Sequence, residues 1–322
     1  MCGIVGIFQK NVNNYLKISN AINVINHRGP DSKGIWRDEF ISLGSVRLKV
    51  VDLNENSDQP LISKNKRYVL TYNGEVYNYL KLKKKFSIKT KTNSDTELIL
   101  ELFSKLGPKT FSLLEGMFAI SIYDTKTKKL YLARDIFGVK PIYYFSEKKR
   151  FLFCSEIKGI LEIEKNVAIN NQSIVNLIKW GGLDNTTNTW FKKIQSLEPG
   201  SFIEIDNNFK IKKTKYYFLE KNVKKNIFEK KDVPHIFNKL LKKSVKEQSQ
   251  TIRSIGTNLS GGVDSSIVTA FLKEINSDVH TYTFGYNEKK FDERPFAETV
   301  SKKLKVENFT SVTSSNDINN NF

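Results

Sequence analysis

Residues 218–234 constrain the fold most, because they divide the chain. The stretch is polar and lysine-rich, ends in Val233-Pro234, and separates two regions of different hydrophobic pattern. That is the mark of a linker between separately packed domains. A length of 322 residues agrees, since one domain takes roughly 100–200. Before the linker, residues 1–217 alternate short β-rich runs with a few helical stretches. Residues 1–8 form one apolar strand, and 13–26 carry Leu16, Ile18, Ile22 and Ile25 at an imperfect helical spacing. Residues 68–72 read as a strand that stops at the turn dipeptide Asn73-Gly74. Ser94-Asp95-Thr96-Glu97 caps a helix over 98–106 that Gly107-Pro108 ends. Residues 118–123, 129–133 and 151–154 are further strands. Helices among antiparallel strands make residues 1–217 an α+β domain.

After the linker, 235–322 changes character. A helix over 235–245, a strand at 255–259, a glycine-rich loop, a helix over 265–275 and a strand at 279–285 form a parallel βαβ unit. The Ser- and Asn-rich residues 311–322 read as a frayed end. No run approaches the roughly 18 apolar residues of a membrane helix, and the N-terminus lacks a signal-peptide layout; a cytoplasmic protein is expected. Lys plus Arg number 52 against 34 acids, a net charge of +18, but only 8 of the 52 are Arg. The lysines are spread between apolar runs rather than gathered with aromatics on one face, which argues against nucleic-acid binding. Two cysteines, Cys2 and Cys154, cannot build a disulfide framework or a four-ligand zinc site.

Cys2 carries the chemistry. Removal of the initiator Met before a small residue leaves Cys2 N-terminal, and its free α-amine, with a pKa near 8, can act as general base for its own thiol. The alternative is a buried cysteine at the start of a strand. Met1-Cys2-Gly3-Ile4-Val5-Gly6-Ile7-Phe8 resembles the opening of the N-terminal-nucleophile glutamine amidotransferases, which release ammonia from glutamine. His27-Arg28-Gly29-Pro30-Asp31, Arg47-Leu48-Lys49-Val50-Val51-Asp52, Tyr72-Asn73-Gly74-Glu75 and Ser94-Asp95-Thr96-Glu97 follow in the order of that family. Thiolate attack on an amide makes an oxyanion, for which the Asn73 side chain and the Gly74 N–H are candidate donors. Arg47 and Asp95 suit the α-carboxylate and α-ammonium of glutamine. The resemblance implies that Leu48, Lys49, Val50, Val51 and Glu75 also line the glutamine site. It further implies an α/β/β/α sandwich of antiparallel sheets. Taken singly, each residue has a structural reading: Asn73-Gly74 a hairpin turn, Asp95 a helix cap, Arg47 a partner of a nearby acid. The blocks at Gly116–Ala119, Arg134-Asp135 with Gly138, Lys140-Pro141 and Ser155-Glu156-Ile157-Lys158 are family-like and read as architecture.

Leu259-Ser260-Gly261-Gly262-Val263-Asp264-Ser265-Ser266 lies between a strand and a helix. Its glycines, serine hydroxyls and following helix N-terminus suit phosphate, without the lysine of a Walker loop. Asp264 beside phosphates calls for Mg²⁺. The block resembles the pyrophosphate loop of ATP pyrophosphatases. Behind a Cys2 glutaminase it points to the glutamine-hydrolysing asparagine synthase family, the second domain being the opening βαβ part of an α/β nucleotide-binding domain. ATP with Mg²⁺, glutamine and aspartate are then the implied small molecules, with Leu259, Ser260, Gly261, Gly262, Asp264, Ser265, Ser266 and Phe284 at the nucleotide. A second glycine-rich acidic block that completes such a site is missing, so the chain reads as truncated. A poorly packed βαβ fragment, a separate synthetase chain or a homo-oligomer as partner, an acceptor other than aspartate such as a sugar acid, and a glutamine-binding subunit without turnover all stay open.

Overall fold

The computed structural model describes residues 2–10, 14–50, 52–181, 186–222, 228–251 and 253–314. The chain separates into two units, Met1–Lys224 and Lys225–Phe322. Among the described residues twelve strands build the first: β1 (Gly3–Phe8), β2 (Ser32–Arg37), β3 (Ile41–Arg47), β4 (Leu61–Ile62), β5 (Tyr68–Val76), β6 (Gly116–Asp124), β7 (Lys129–Arg134), β8 (Tyr143–Glu147), β9 (Arg150–Cys154), β10 (Ile194–Ser196), β11 (Ser201–Ile205) and β12 (Ile211–Lys215). They form two six-stranded antiparallel sheets, in the orders β10-β8-β9-β1-β3-β2 and β12-β11-β7-β6-β5-β4.

Side chains alternate across a strand, and here both faces of each sheet are buried. In β1, Ile4 and Phe8 enter the core between the two sheets with Leu43, Ala119, Tyr123 and Phe153. Val5 and Ile7 face the opposite way, toward Ile18, Ala21 and Ile22 of helix α1 (Tyr15–Val24) and the neighbouring Ile160. On the far side of the second sheet, Leu70, Phe118, Ile120 and Ile122 pack under helix α2 (Tyr79–Lys85) and helix α3 (Asp95–Leu106), through Leu82, Leu98, Leu102 and Phe103. With helix α4 (Ile157–Ile163) beside α1, the result is the four-layer α/β/β/α sandwich. Ser94 caps α3 by accepting from the Thr96 N–H at 3.1 Å, and Gly107 at φ 61° ends it.

One expectation fails at the dipeptide Asn73-Gly74. No turn forms there; β5 runs through it to Val76, pairing Asn73 with Ala119 and Gly74 with Phe118. The glycine serves close approach: a Cβ on Gly74 would lie 2.2 Å from the Met117 carbonyl oxygen.

The second unit contains helix α7 (Val233–Gln248), strand β13 (Ile255–Asn258), helix α8 (Val263–Ile275), strand β14 (Val279–Tyr286), helix α9 (Arg294–Leu304) and strand β15 (Glu307–Thr313), after helix α5 (Asn171–Trp180) and helix α6 (Leu219–Asn222) of the first. Its sheet is parallel, in the order β13-β14-β15. Val279, Thr281 and Thr283 of β14 are buried, as are Leu272 of α8 and Ala297 of α9, whereas Tyr282, Phe284 and Tyr286 on the alternate face are 41–62 % exposed. The frayed end expected from residue 311 onward is corrected for 311–313: Ser311, Val312 and Thr313 continue β15 beside Phe284, Gly285 and Tyr286. The parallel ladder overrides their polar composition, and residues 315–322 lie outside the described residues. No described helix is long and apolar enough to cross a membrane.

Candidate active site

A cavity of about 230 Å³ opens beside Cys2. It is smaller than the roughly 300–1,000 Å³ of drug-sized sites, a size for one small polar molecule. Antiparallel pairing of Gly3 with Val46 brings Cys2 next to the end of β3. The Leu48 N–H donates to Cys2 Sγ at 3.4 Å, and the thiol lies 3.7 Å from the Leu48 carbonyl. The motif 27–31 holds this junction. Arg28 Nε donates to the Cys2 carbonyl at 3.0 Å while its Nη1 reaches Glu156 at 2.8 Å, and His27 meets the same carboxylate. Asp31 accepts from the Lys49 N–H at 2.8 Å, and its own N–H donates to the Arg47 carbonyl.

Around the cavity stand Arg47, Leu48, Val50, Asn73, Gly74, Glu75 and Asp95 with Cys2. Lys49 is not among them: it is held by Asp31 and approaches Asp58 at 3.9 Å. Val51 lies outside the described residues. Arg47 is buried and ties down the loop that follows it, donating to the carbonyls of Asn54 and Asp52 and to the Asp58 carboxylate. Three of its five N–H groups are thereby used, and two remain. One Asp95 oxygen accepts from the Tyr72 hydroxyl at 2.7 Å and the Val76 N–H at 3.0 Å; the carboxylate is fixed in place, while Ser94 takes the capping role. The Asn73 side chain differs from all of these. It is 1 % exposed, and neither its oxygen nor its nitrogen has a partner among the described residues. Buried amide groups are almost always paired, so these two atoms are available to a molecule in the cavity.

Electrostatics follow from burial. Desolvation pushes the Cys2 thiol up, against the Leu48 hydrogen bond and the charge of Arg47. Burial also raises Asp95, opposed by the bonds from Tyr72 and Val76. Glu75 moves from 4.5 to about 7, first by burial and then by repulsion from Asp95, with Lys140 pulling it back. Lys140, Met117, Gln59 and Asp52 belong to the cavity wall as well. Sequence reasoning assigned Lys140 and Met117 to architecture; their family-like blocks were the available signal.

In the second unit residues 259–262 join β13 to α8, whose N-cap is Gly262 and whose first turn holds Asp264, Ser265 and Ser266. Gly261 has φ 82°, and a Cβ there would lie 2.5 Å from the Phe296 backbone. Ser260 and Ser265 bond to each other, Ser260 accepts from the Gly262 N–H, and Ser265 and Ser266 donate to the Gly262 carbonyl, which shapes the loop around the helix N-terminus. Asp264 is in the first turn and exposed. Leu259 is buried, with its N–H on Tyr282 and its carbonyl on Thr283, whereas Phe284 is 62 % exposed. No cluster of three or more metal-ligating side chains occurs among the described residues.

Comparison with known proteins places these observations. Residues 1–217 match the family model described as glutamine amidotransferase domain, and 237–322 match that of asparagine synthase. A protein of Methanocaldococcus jannaschii, provisionally named a glutamine-hydrolysing asparagine synthetase, is 36 % identical over 95 % of this chain and 64 % of its own length. Asparagine synthetase 1 of Bacillus subtilis, named as glutamine-hydrolysing, is 30 % identical over 98 % of this chain and 50 % of its own. The chain thus spans about half to two thirds of the length of these relatives. Among solved structures, glutamine phosphoribosylpyrophosphate amidotransferase from B. subtilis superposes with a TM-score of 0.52 at 15 % identity, over 98 % of this chain and 81 % of that one. A likeness at that identity speaks for the fold. By its amidotransferase domain and the segment that follows, the chain belongs to the glutamine amidotransferase family in its asparagine synthase branch.

Proposed function

We propose that the first unit hydrolyses glutamine at Cys2 and that the second is the ATP-binding part of an asparagine synthase, with 1–217 as glutaminase domain, 218–234 as linker and 235–322 as partial synthetase domain. The unpartnered Asn73 amide, buried in the wall of the Cys2 cavity, carries the reading, because an oxyanion needs donors already in place. Glutamine sets its α-carboxylate on the two remaining N–H groups of Arg47 and its α-ammonium toward Asp95 and Glu75. With Met1 removed, the α-amine of Cys2 takes the proton that burial holds on the sulfur. Sulfur attacks the amide carbon, and Asn73 with the Gly74 N–H bears the negative oxygen. The C–N bond then breaks, the nitrogen leaves as ammonia with the transferred proton, and water hydrolyses the thioester to glutamate.

In the second unit the N-terminus of α8 and Ser260, Ser265 and Ser266 suit the phosphates of ATP. Mg²⁺ would be held chiefly by those phosphates with Asp264 as the protein acid, as is usual for that ion. ATP activates the aspartate side chain as an acyl adenylate with release of pyrophosphate, and ammonia displaces AMP from it to give asparagine. The test is glutamate, asparagine and pyrophosphate release by the purified chain and by Cys2→Ala, with and without aspartate, ATP and Mg²⁺. Glutamate that depends on Cys2 supports the first half, and asparagine with pyrophosphate supports the second. A wild-type chain that releases no glutamate under any of these conditions would sink the reading.

A further inference from the structure

The block from Arg134 to Pro141 has no task in the chemistry above, yet it is built around delivering one side chain. Asp135 is fully buried and gathers the turn: its Oδ1 accepts from the N–H groups of Phe137 and Val139, and its Oδ2 from those of Lys140 and Phe118. Arg134 closes the turn from the other side through the carbonyls of Gly138 and Lys140. The backbone of Lys140 is therefore fixed at both its N–H and its carbonyl, and the side chain lines the Cys2 cavity at 6 % exposure. Among the described residues its ammonium joins no hydrogen bond and no ion pair within 4 Å. An ammonium on a mostly buried side chain with no close ion pair is costly, and a turn built to hold one at this cavity wall calls for an anion there.

We propose that Lys140 is a positioning residue of the glutaminase site, acting through Cys2 by favouring its thiolate. The proposal rests on the reading of Cys2 as nucleophile. Charged groups line this cavity from several elements, Arg47 from β3, Asp52 from the loop after it, Glu75 from β5 and Asp95 from α3, while Arg28 of the 27–31 turn and Asp135 of the Lys140 turn act on Lys140 from behind the wall. Arg28 and Arg47 are ion-paired with Glu156 and Asp58, Arg47 still acting on the thiol through its charge, and Lys140 is the cation of this set with no ion pair within 4 Å among the described residues. Burial and Arg28 push its ammonium down, while Cys2, Glu75 and Asp135 hold it up. The sign follows: an opposite charge favours ionisation of the thiol, so removing it moves thiolate formation to higher pH.

The experiment is the pH dependence of Cys2 alkylation by iodoacetamide, read by mass spectrometry of the N-terminal peptide, in the full chain and in Lys140→Met, Lys140→Gln and Lys140→Arg. The midpoint is expected to rise by about one pH unit in the Met and Gln variants, about a tenfold loss of thiolate at fixed lower pH, and to stay near wild type in Lys140→Arg. Glutamine turnover should show a roughly tenfold lower kcat with KM within about twofold, as loss of thiolate requires. Superimposable alkylation profiles in a folded Met or Gln variant would overturn the proposal, as would a tenfold rise in KM at unchanged kcat, the behaviour of a substrate-carboxylate ligand. Alkylation needs no glutamine, so a wild type without turnover would fail the glutaminase reading while the profile still decides the role of Lys140.

Discussion

Asn73 is buried with both ends of its side-chain amide unpaired among the described residues, and a fold does not retain such a group for stability. Asn73→Ala is expected to lower kcat for glutamate release about 100- to 1,000-fold, ~3–4 kcal/mol of transition-state stabilisation, with KM nearly unchanged; steady-state kinetics on the folded variant checks this. Glu75 gives a second expectation. Its proton is held to about 7 in the folded chain against 4.5 ordinarily, so between those values the folded state binds more protons than the unfolded one. Stability contributed by this group is present below about 4.5 and is lost as pH rises to about 7. Glu75→Gln should flatten that part of the profile, measured by urea unfolding at pH 5 and pH 7; an unchanged difference would contradict the assignment. Cys2, Arg47, Asn73, Gly74, Glu75 and Asp95 could be proposed as one set because amide hydrolysis calls for such residue types and their order is distinctive, and the structure brings all six to one cavity. Their existing partners were not legible: Asp58 on Arg47 and Tyr72 on Asp95 depend on loops and strands brought together from elsewhere in the chain.

Strand β5 shows where element-level reading succeeds and where it stops. Its apolar residues announce a strand, and burial on both faces explains why they form a run rather than an alternation. The dipeptide Asn73-Gly74 signals a turn by local chemistry, but tertiary pairing with β6 wins, since Gly74 has no side chain to collide with Met117. Gly74→Ala should therefore destabilise the chain by about 1–3 kcal/mol, the range for overpacking, measured by denaturant midpoint. A change within about 0.5 kcal/mol, typical of an unconstrained surface site, would favour the turn reading. Helix α3 was legible at both ends because its signals, Ser94 and Gly107-Pro108, are local. Strand β15 was missed because its β-branched residues are set among Asn and Ser, and its partner β14 begins 28 positions earlier in the chain.

At the scale of the molecule, the two proposed sites fall in two separate folding units. The first is a closed sandwich with three buried clusters, while the second leaves Tyr282, Phe284 and Tyr286 of its parallel sheet exposed. Parallel sheets are ordinarily covered on both faces, and among the described residues of the second unit this face lacks comparable burial. The four layers followed from the family-like order of motifs, and the parallel order β13-β14-β15 agrees with the strand–loop–helix–strand pattern. Because Asp264 and Cys2 belong to different units, Asp264→Ala should leave glutamate release within about twofold of wild type; a collapse of that activity would contradict the separation of sites. Most direct for the central claim is the acyl intermediate itself. The purified chain is mixed with glutamine, quenched in acid within the turnover time and digested for peptide mass spectrometry. A glutamyl thioester is expected on the peptide that carries Cys2, removed by hydroxylamine and missing in Cys2→Ala. An adduct on Cys154 instead, or glutamate release persisting in Cys2→Ala, would contradict it.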